Sequence, residues 1–412
     1  MRQIVPVPVA LLLALAVGQP GCGDGPDDHA VSIGLLLSYS GYLAASSTNS
    51  ERALQMAIEA ANGAGGLGAL GNGQSGRPLR IIARDTRSDP TRIGKSAREL
   101  LDAEVAMFIG PESTDLAAAL VGLLRPHTVM LPSFATAHLP QIRPAWWFVM
   151  GAGPARVACE LAAQLRADDR KQPLVLLESG GYNALLGWEL TRTYGIPQVL
   201  LPTNQPSNTT SVQPITAWSA DAYVLAALPP SASSLVFSMA ALGALGLASK
   251  WYLSPTLHTP ALLETIPKGV LAGAHGVAPG TVAGATAFRD QFVARWHDEP
   301  LDDAYPFYDA GAVSVLALQH ALLREGAIPS GGGLGKHVVA VTHGGTAVAW
   351  NQLDRGLELL RQGQEVEYIG LSGPLEFDET GETSGANTTW WSIGQNGFEP
   401  VANRSDCRSG PR

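Results

Sequence analysis

Ser113 and Thr114 follow Gly110-Pro111-Glu112 at the end of an apolar run, Val105–Ile109, and precede a helical pattern that begins at Asp115. A helix start offers free N–H groups, and hydroxyls beside them converge on any anion above. Helix capping favours the same residue types, so either role fits. Comparable loops are 38–48 (SYSGYLAASST), 133–138 (SFATAH), 178–183 (ESGGYN), 227–231 (ALPPS) and 254–259 (SPTLHT). Other chemistry is poorly served. Gly66–Gly71 matches GxGxxG, but it follows a helical pattern and leads into Gly73, Gly76 and Pro78, whereas a dinucleotide site needs a strand before it and a helix after it. The sequence has no GxSxG elbow, P-loop or HExxH helix. His337 and His343 stand six apart with no carboxylate in a ligand pattern, and cysteines at 22, 159 and 407 lack the CxxC pairs of a zinc site. No catalytic residue, cofactor or metal is therefore assigned.

These loops sit in a chain of 412 residues, enough for two or three domains. Hydrophobic residues make up 46% and charged residues 15%, so a packed core is affordable and disorder is not indicated. A formal charge of −9 argues against a nucleic-acid partner. Residues 1–21 carry one charge, Arg2, and their apolar run Ile4–Val17 rises only about 21 Å as a helix, short of a bilayer core of about 30 Å. They read as a signal peptide. Cys22 follows Gly21 and resembles the lipid-modified first residue of a bacterial lipoprotein, with 22–30 as its tether, although Gln19 and Pro20 depart from the lipobox. Cleavage after Ala14-Leu15-Ala16 is the alternative. Cys159, in an apolar-rich helix, and Cys407, in the polar tail 403–412, are expected to be free thiols.

From Val31 short apolar runs alternate with amphipathic helices. Strands are expected at Val31–Leu37, Leu79–Ala83, Val105–Ile109 and Val129–Leu131, with helices at 50–61, from Asp89-Pro90, and from Asp115. A second series has helices at 155–167, 184–194 and 231–242 and strands at Leu174–Leu177, Gln198–Leu201, Ala222–Ala227 and Trp251–Leu253. Helices follow at about 285–298, 308–325, 335–342 and 352–362. A strand is expected at Leu375–Phe377, then a hairpin pairing Thr388–Ile393 with Gly397–Val401. Alternation of this kind implies an α/β chain with parallel sheets covered on both faces, here as two doubly wound lobes. Ligands in such sheets bind at the carboxyl ends of the strands, which selects the loops named above.

Segments carrying these loops resemble the periplasmic amino-acid-binding receptor family, whose best-known member is the branched-chain amino-acid-binding protein. The likeness lies in Ile33–Leu37 with Ser40-Gly41, AIEAANGAGG (57–66), DTRSDP (85–90), Ile109-Gly110-Pro111, PSFATA (132–137), KWYLS (250–254) and Ser372–Gly381. It covers residues 31 to about 400. The resemblance implies a type 1 periplasmic-binding fold, two Rossmann-like lobes joined by three hinge crossovers with a ligand between them. Crossovers near 148–153, 275–280 and 369–373 give lobe one as 31–150 plus 281–365 and lobe two as 151–278 plus 370–402. It also implies ligand contacts at Ser113 and Thr114, at Phe134, Ala135 and Thr136, and at Leu228 and Thr256; Tyr42 and Tyr182 read as aromatic walls from opposing lobes or as packing at the lobe surface. The function implied is a solute-binding lipoprotein that captures a small polar ligand, a carboxylate or an amino-acid-like molecule, for ABC permease subunits. A ligand-sensing or envelope-scaffold lipoprotein of the same fold is the alternative. The family holds its ligand's ammonium with a glutamate after the Trp251–Leu253 strand, where this sequence has Ser254-Pro255-Thr256. A simple α-amino acid is therefore disfavoured, unless Glu112 or Glu178 substitutes as the counter-charge.

Overall fold

Val31–Leu37 (β1) is seven consecutive apolar or small residues, all buried, as a strand covered on both faces requires. Parallel pairing with β2 (Leu79–Asp85) needs a crossover, which α1 (Ala44–Gly63) supplies. The pattern repeats through α2 (Ile93–Asp102), β3 (Met107–Ile109), α3 (Thr114–Leu124), β4 (Val129–Leu131) and β5 (Trp147–Val149). The result is a five-stranded sheet in the order β2-β1-β3-β4-β5. The computed structural model describes residues 29–68, 76–133, 143–201, 209–246, 248–282, 284–383, 387–401 and 407. Cys22, the leader and Phe134, Ala135 and Thr136 lie outside them.

The second series runs α4 (Pro154–Ala167), β6 (Pro173–Glu178), α5 (Gly181–Tyr194), β7 (Gln198–Leu201), α6 (Thr209–Thr216), β8 (Ala222–Ala226), α7 (Pro229–Ala241), β9 (Trp251–Leu253), α8 (Pro260–Thr265) and β10 (His275–Pro279). The chain then returns to the first sheet through α9 (Ala285–Trp296), α10 (Ala304–Glu325) and α11 (Gly335–Thr342), and through β11 (Thr346–Ala349), α12 (Leu353–Arg361), β12 (Val366–Gly370) and β13 (Gly373–Pro374). Antiparallel β14 (Thr388–Ile393) and β15 (Phe398–Val401) complete a seven-stranded sheet, β15-β14-β10-β9-β8-β6-β7, while β11-β12-β13 form a small third one.

One apolar cluster packs α1, α10 and α12 on one face of the first sheet; Ile33, Phe148, Phe288 and Phe307 are fully buried in it. Complete burial of such a side chain contributes about 1.5–3 kcal/mol. A second cluster is continuous from α2 and α3 to α4 and α5, so apolar packing joins the two sheets.

The structure departs from expectation at several boundaries. Asp89 does not cap a helix: its Oδ1 accepts from the amide and hydroxyl of Thr91, and α2 starts at Ile93. Helix α10 begins at Ala304, four residues early. Leu375–Phe377 is no ladder strand, since Phe377 makes a single bridge to Thr383. His275–Pro279 forms β10 of the second sheet, and the chain leaves that sheet after Pro279. Around 369–373 the chain turns within the small sheet, and Leu371, Leu375 and Phe377 stay in the first core, so it joins the second sheet only at Thr388. The thiol expectation is overturned. Cys407 is buried and disulfide-bonded to Cys159 of α4, with the Cα atoms 6.0 Å apart.

Candidate functional site

Loops at the carboxyl ends of both main sheets face one another across a cleft of about 130 Å³. From the first lobe come Tyr42, Glu112, Ser113 and Ser133; from the second, Leu228, Pro229, Pro255 and Thr256. His258 and the acidic pair Asp302 and Asp303 close the rim.

Backbone geometry delivers Glu112 here. Gly110 has φ +86°, and a Cβ at that position would run into the Leu36 carbonyl, so only glycine lets the chain leave β3 so close to β1. Glu112 then lies under the end of β1, where the Ser38 amide donates to its Oε1 (2.8 Å). The side chain is 3% exposed, and Oε2 has no hydrogen-bond partner among the described residues. Burial pushes the carboxyl pKa up to about 7, against the pull of hydrogen bonds from Ser38.

Ser113 caps α3, with its hydroxyl oxygen accepting from the Leu116 amide (3.3 Å). Its hydroxyl hydrogen remains able to donate. Tyr42 is 46% exposed, with its hydroxyl within hydrogen-bonding reach of Ser113. Burial first, then the negative charge of Asp115 and Glu112, raises its pKa.

On the facing lobe, Leu228 donates its amide to Glu178 Oε2 (2.6 Å), and Ser231 donates its hydroxyl to Oε1 (2.8 Å). Glu178 thus neutralises the start of α7 and has both oxygens engaged. Thr256 has the Ala227 carbonyl (2.9 Å) and Asn183 Oδ1 (3.1 Å) as acceptors for its hydroxyl, and Ser254 Oγ lies 2.7 Å from it, where either hydroxyl can donate.

Of the residues the sequence singled out, the structure brings Tyr42, Ser113, Leu228 and Thr256 together at the cleft. Thr114 is buried in the first turn of α3 and does not line it. Tyr182 is sealed in the apolar cluster between the sheets, where burial holds its pKa well above the usual phenol value. The sequence reading missed His258, Asp302 and Asp303 as lining residues. Asp303 carried a signal, because an aspartate just before an apolar helical pattern is a candidate N-cap.

His258 Nδ1 is paired with Asp302 across the rim, and its ring stacks on Trp391 at 4.7 Å. No cluster that could hold a metal ion occurs among the described residues. No helix among them is long and apolar enough to cross a membrane.

Two lobes with a mostly apolar cleft at their strand ends, set with a few polar side chains, define a ligand-binding architecture. A family model described as periplasmic binding protein matches residues 30–342, and the chain belongs to that family of ligand-binding transport components. Its fold is that of the isoleucine complex of the branched-chain amino acid transporter substrate-binding protein LivJ from Streptococcus pneumoniae, with a TM-score of 0.72 at 14% identity over 92% of this chain and 100% of that one. The leucine-binding protein LivK from Thermotoga maritima gives 0.71 at 16% over 90% and 98%. A solute-binding protein of R. palustris in complex with benzoate gives 0.67 at 15% over 93% and 99%. No curated protein matches the chain in sequence.

Proposed function

We propose that this chain captures a small polar solute between its two lobes and presents the closed form to ABC permease subunits. The observation that carries the reading is the cleft itself, to which each lobe contributes strand-end loops, so a ligand there touches both at once. Such a ligand biases the lobes toward the closed arrangement by its better contacts with it. The role asks for binding alone and no catalysis. The similar structures, seen with isoleucine and with benzoate, support a small organic solute as cargo. The moving units are the first sheet with residues 285–382, and the second sheet with 154–279 and 388–401. Attachment through a lipidated Cys22 rests on the leader pattern of residues 1–22. Native mass spectrometry of the mildly purified protein, with small-angle scattering before and after removal of any bound solute, tests the reading. Retained solute and a larger radius after its removal are expected; no bound mass and no binding across a broad solute panel would refute it.

A further inference from the structure

The search for an acid to balance a bound amine ends in the first lobe rather than the second. Glu178, the other acid at a strand end, spends both oxygens on the start of α7. Thr256 carries no charge, and its hydroxyl is engaged with its own lobe. Glu112 is different: it lines the cleft, is almost wholly buried, and keeps Oε2 without a partner among the described residues. A buried carboxylate oxygen left unpaired costs free energy that a ligand cation would recover. The surrounding charge has the same sign. Asp302 and Asp303 also line the cleft, and neither lysine nor arginine is among the described lining residues.

We propose that Glu112 is the counter-charge for a protonated amine, so that the cleft selects an amine-bearing solute and rejects a plain carboxylate. This rests on the solute-binding reading above and reverses the preference expected from the missing acid after β9. The amine is held from the lobe that also presents Ser113, with Tyr42 and Leu228 as its less polar surroundings.

Proton linkage gives the proposal a second handle. With Glu112 pushed up to about 7 by burial, about one molecule in ten is ionised at pH 6 and about nine in ten at pH 8. An alkylammonium stays protonated over that range, so its binding should tighten about ten-fold from pH 6 to pH 8. Around Glu112 stand Tyr39, Asp85 and Tyr42, with Asp302 and Asp303 on the rim, all of its own lobe, and His258 across the cleft; Asp115 and Glu178 act on the neighbouring Tyr42. His258→Gln separates the imidazole's contribution and should leave the slope in place.

The test is calorimetric titration of the full chain with n-butylamine, 2-aminobutyrate, n-butyrate and 1-butanol, a set that varies the charged group on one skeleton. The amine-bearing probes should bind and butyrate should not. Glu112→Gln, which keeps the shape and an acceptor for the Ser38 amide, should weaken amine binding at least about 30-fold and flatten the pH dependence. The wild-type pH series needs no variant and stands even if Glu112→Gln folds poorly. Butyrate binding more tightly than butylamine, tightest at low pH, would overturn the proposal, because Glu112 would then be donating a proton to the ligand. Amine binding indifferent to Glu112→Gln would overturn it as well. Binding confined to neutral or anionic solutes in the broad panel removes the proposal but leaves solute capture intact, whereas no binding of any solute removes both.

Discussion

Asp309, in the second turn of α10, has no solvent exposure and holds the turn between β12 and β13. Its Oδ1 accepts from the Tyr368 hydroxyl (2.7 Å) and the Leu371 amide (2.8 Å), and its Oδ2 from the Ser372 amide (2.8 Å). The approach is close enough that a Cβ on Gly370 would stand 2.6 Å from Oδ2. Burial raises the carboxyl pKa, and these donors pull the other way. Asp309→Ala would leave two buried amides and a phenol without their acceptor, each at about 1–3 kcal/mol. Removing the carboxylate also relieves the desolvation of a buried charge, so the net loss should be about 3–5 kcal/mol. Asp309→Asn keeps the shape but turns an acceptor into a donor aimed at another N–H, for about 2–3 kcal/mol. Tyr368→Phe removes one donor and should cost about 1 kcal/mol. Urea unfolding followed by tryptophan fluorescence, with midpoints compared at equal slopes, reads all three. An alanine variant within about 1 kcal/mol of the natural protein, or a Tyr368→Phe variant worse than it, would refute the reasoning.

Glu178→Gln should cost about 1–2 kcal/mol, by weakening a charged acceptor at the start of α7, and leave the affinity of a bound solute within about three-fold; urea midpoints and calorimetry check both. Buried His320 and His337 face each other Nδ1 to Nδ1 at 2.8 Å, which requires one donor and one acceptor, and burial lowers both pKa values despite Glu365 and Glu325 beside them. Below the ordinary histidine pKa of about 6.5 the unfolded chain binds protons that the folded one does not. Stability should therefore fall with pH, by at most about 1.4 kcal/mol per unit for each histidine, and His320→Asn should reduce the slope in urea titrations at pH 7.5 and 5.5. Cys407→Ser should cost about 2–4 kcal/mol, and a non-reduced digest of the natural chain should yield a linked peptide containing Cys159 and Cys407.

Elements with a strong period were legible in the sequence. Strand β1 coincides with its expected span, as do β4, β9 and α11, because each is a buried apolar run or an amphipathic stretch bounded by turn residues; β7 coincides as well, as an apolar run on the sheet edge. Three other short strands were not: Trp147–Val149, Thr346–Ala349 and Val366–Gly370 have three to five residues each, much like β4, β7 and β9, and are defined by the neighbours they pair with. The early start of α10 escaped notice because Pro306 lies inside its first turn, where its missing N–H costs nothing. The Cys159–Cys407 bond joins residues 248 apart, and no local pattern reports such a distance.

The two glutamates at the strand ends show why a site is less legible than a fold. Glu112 follows β3 and Glu178 ends β6, each just before a helix, so type and spacing make them similar candidates. What separates them is where the nearest unpaired N–H groups lie. Pro229 opens α7 without an amide hydrogen, and the helix start uses the Leu228 amide and the Ser231 hydroxyl, both within reach of Glu178. Helix α3 is capped instead by Ser113, which makes no demand on Glu112. One acid is absorbed by the scaffold and the other left facing the cleft by the choice of cap on two different helices. A sequence reading can name both acids, but the difference between them exists only once the two helix starts are in place.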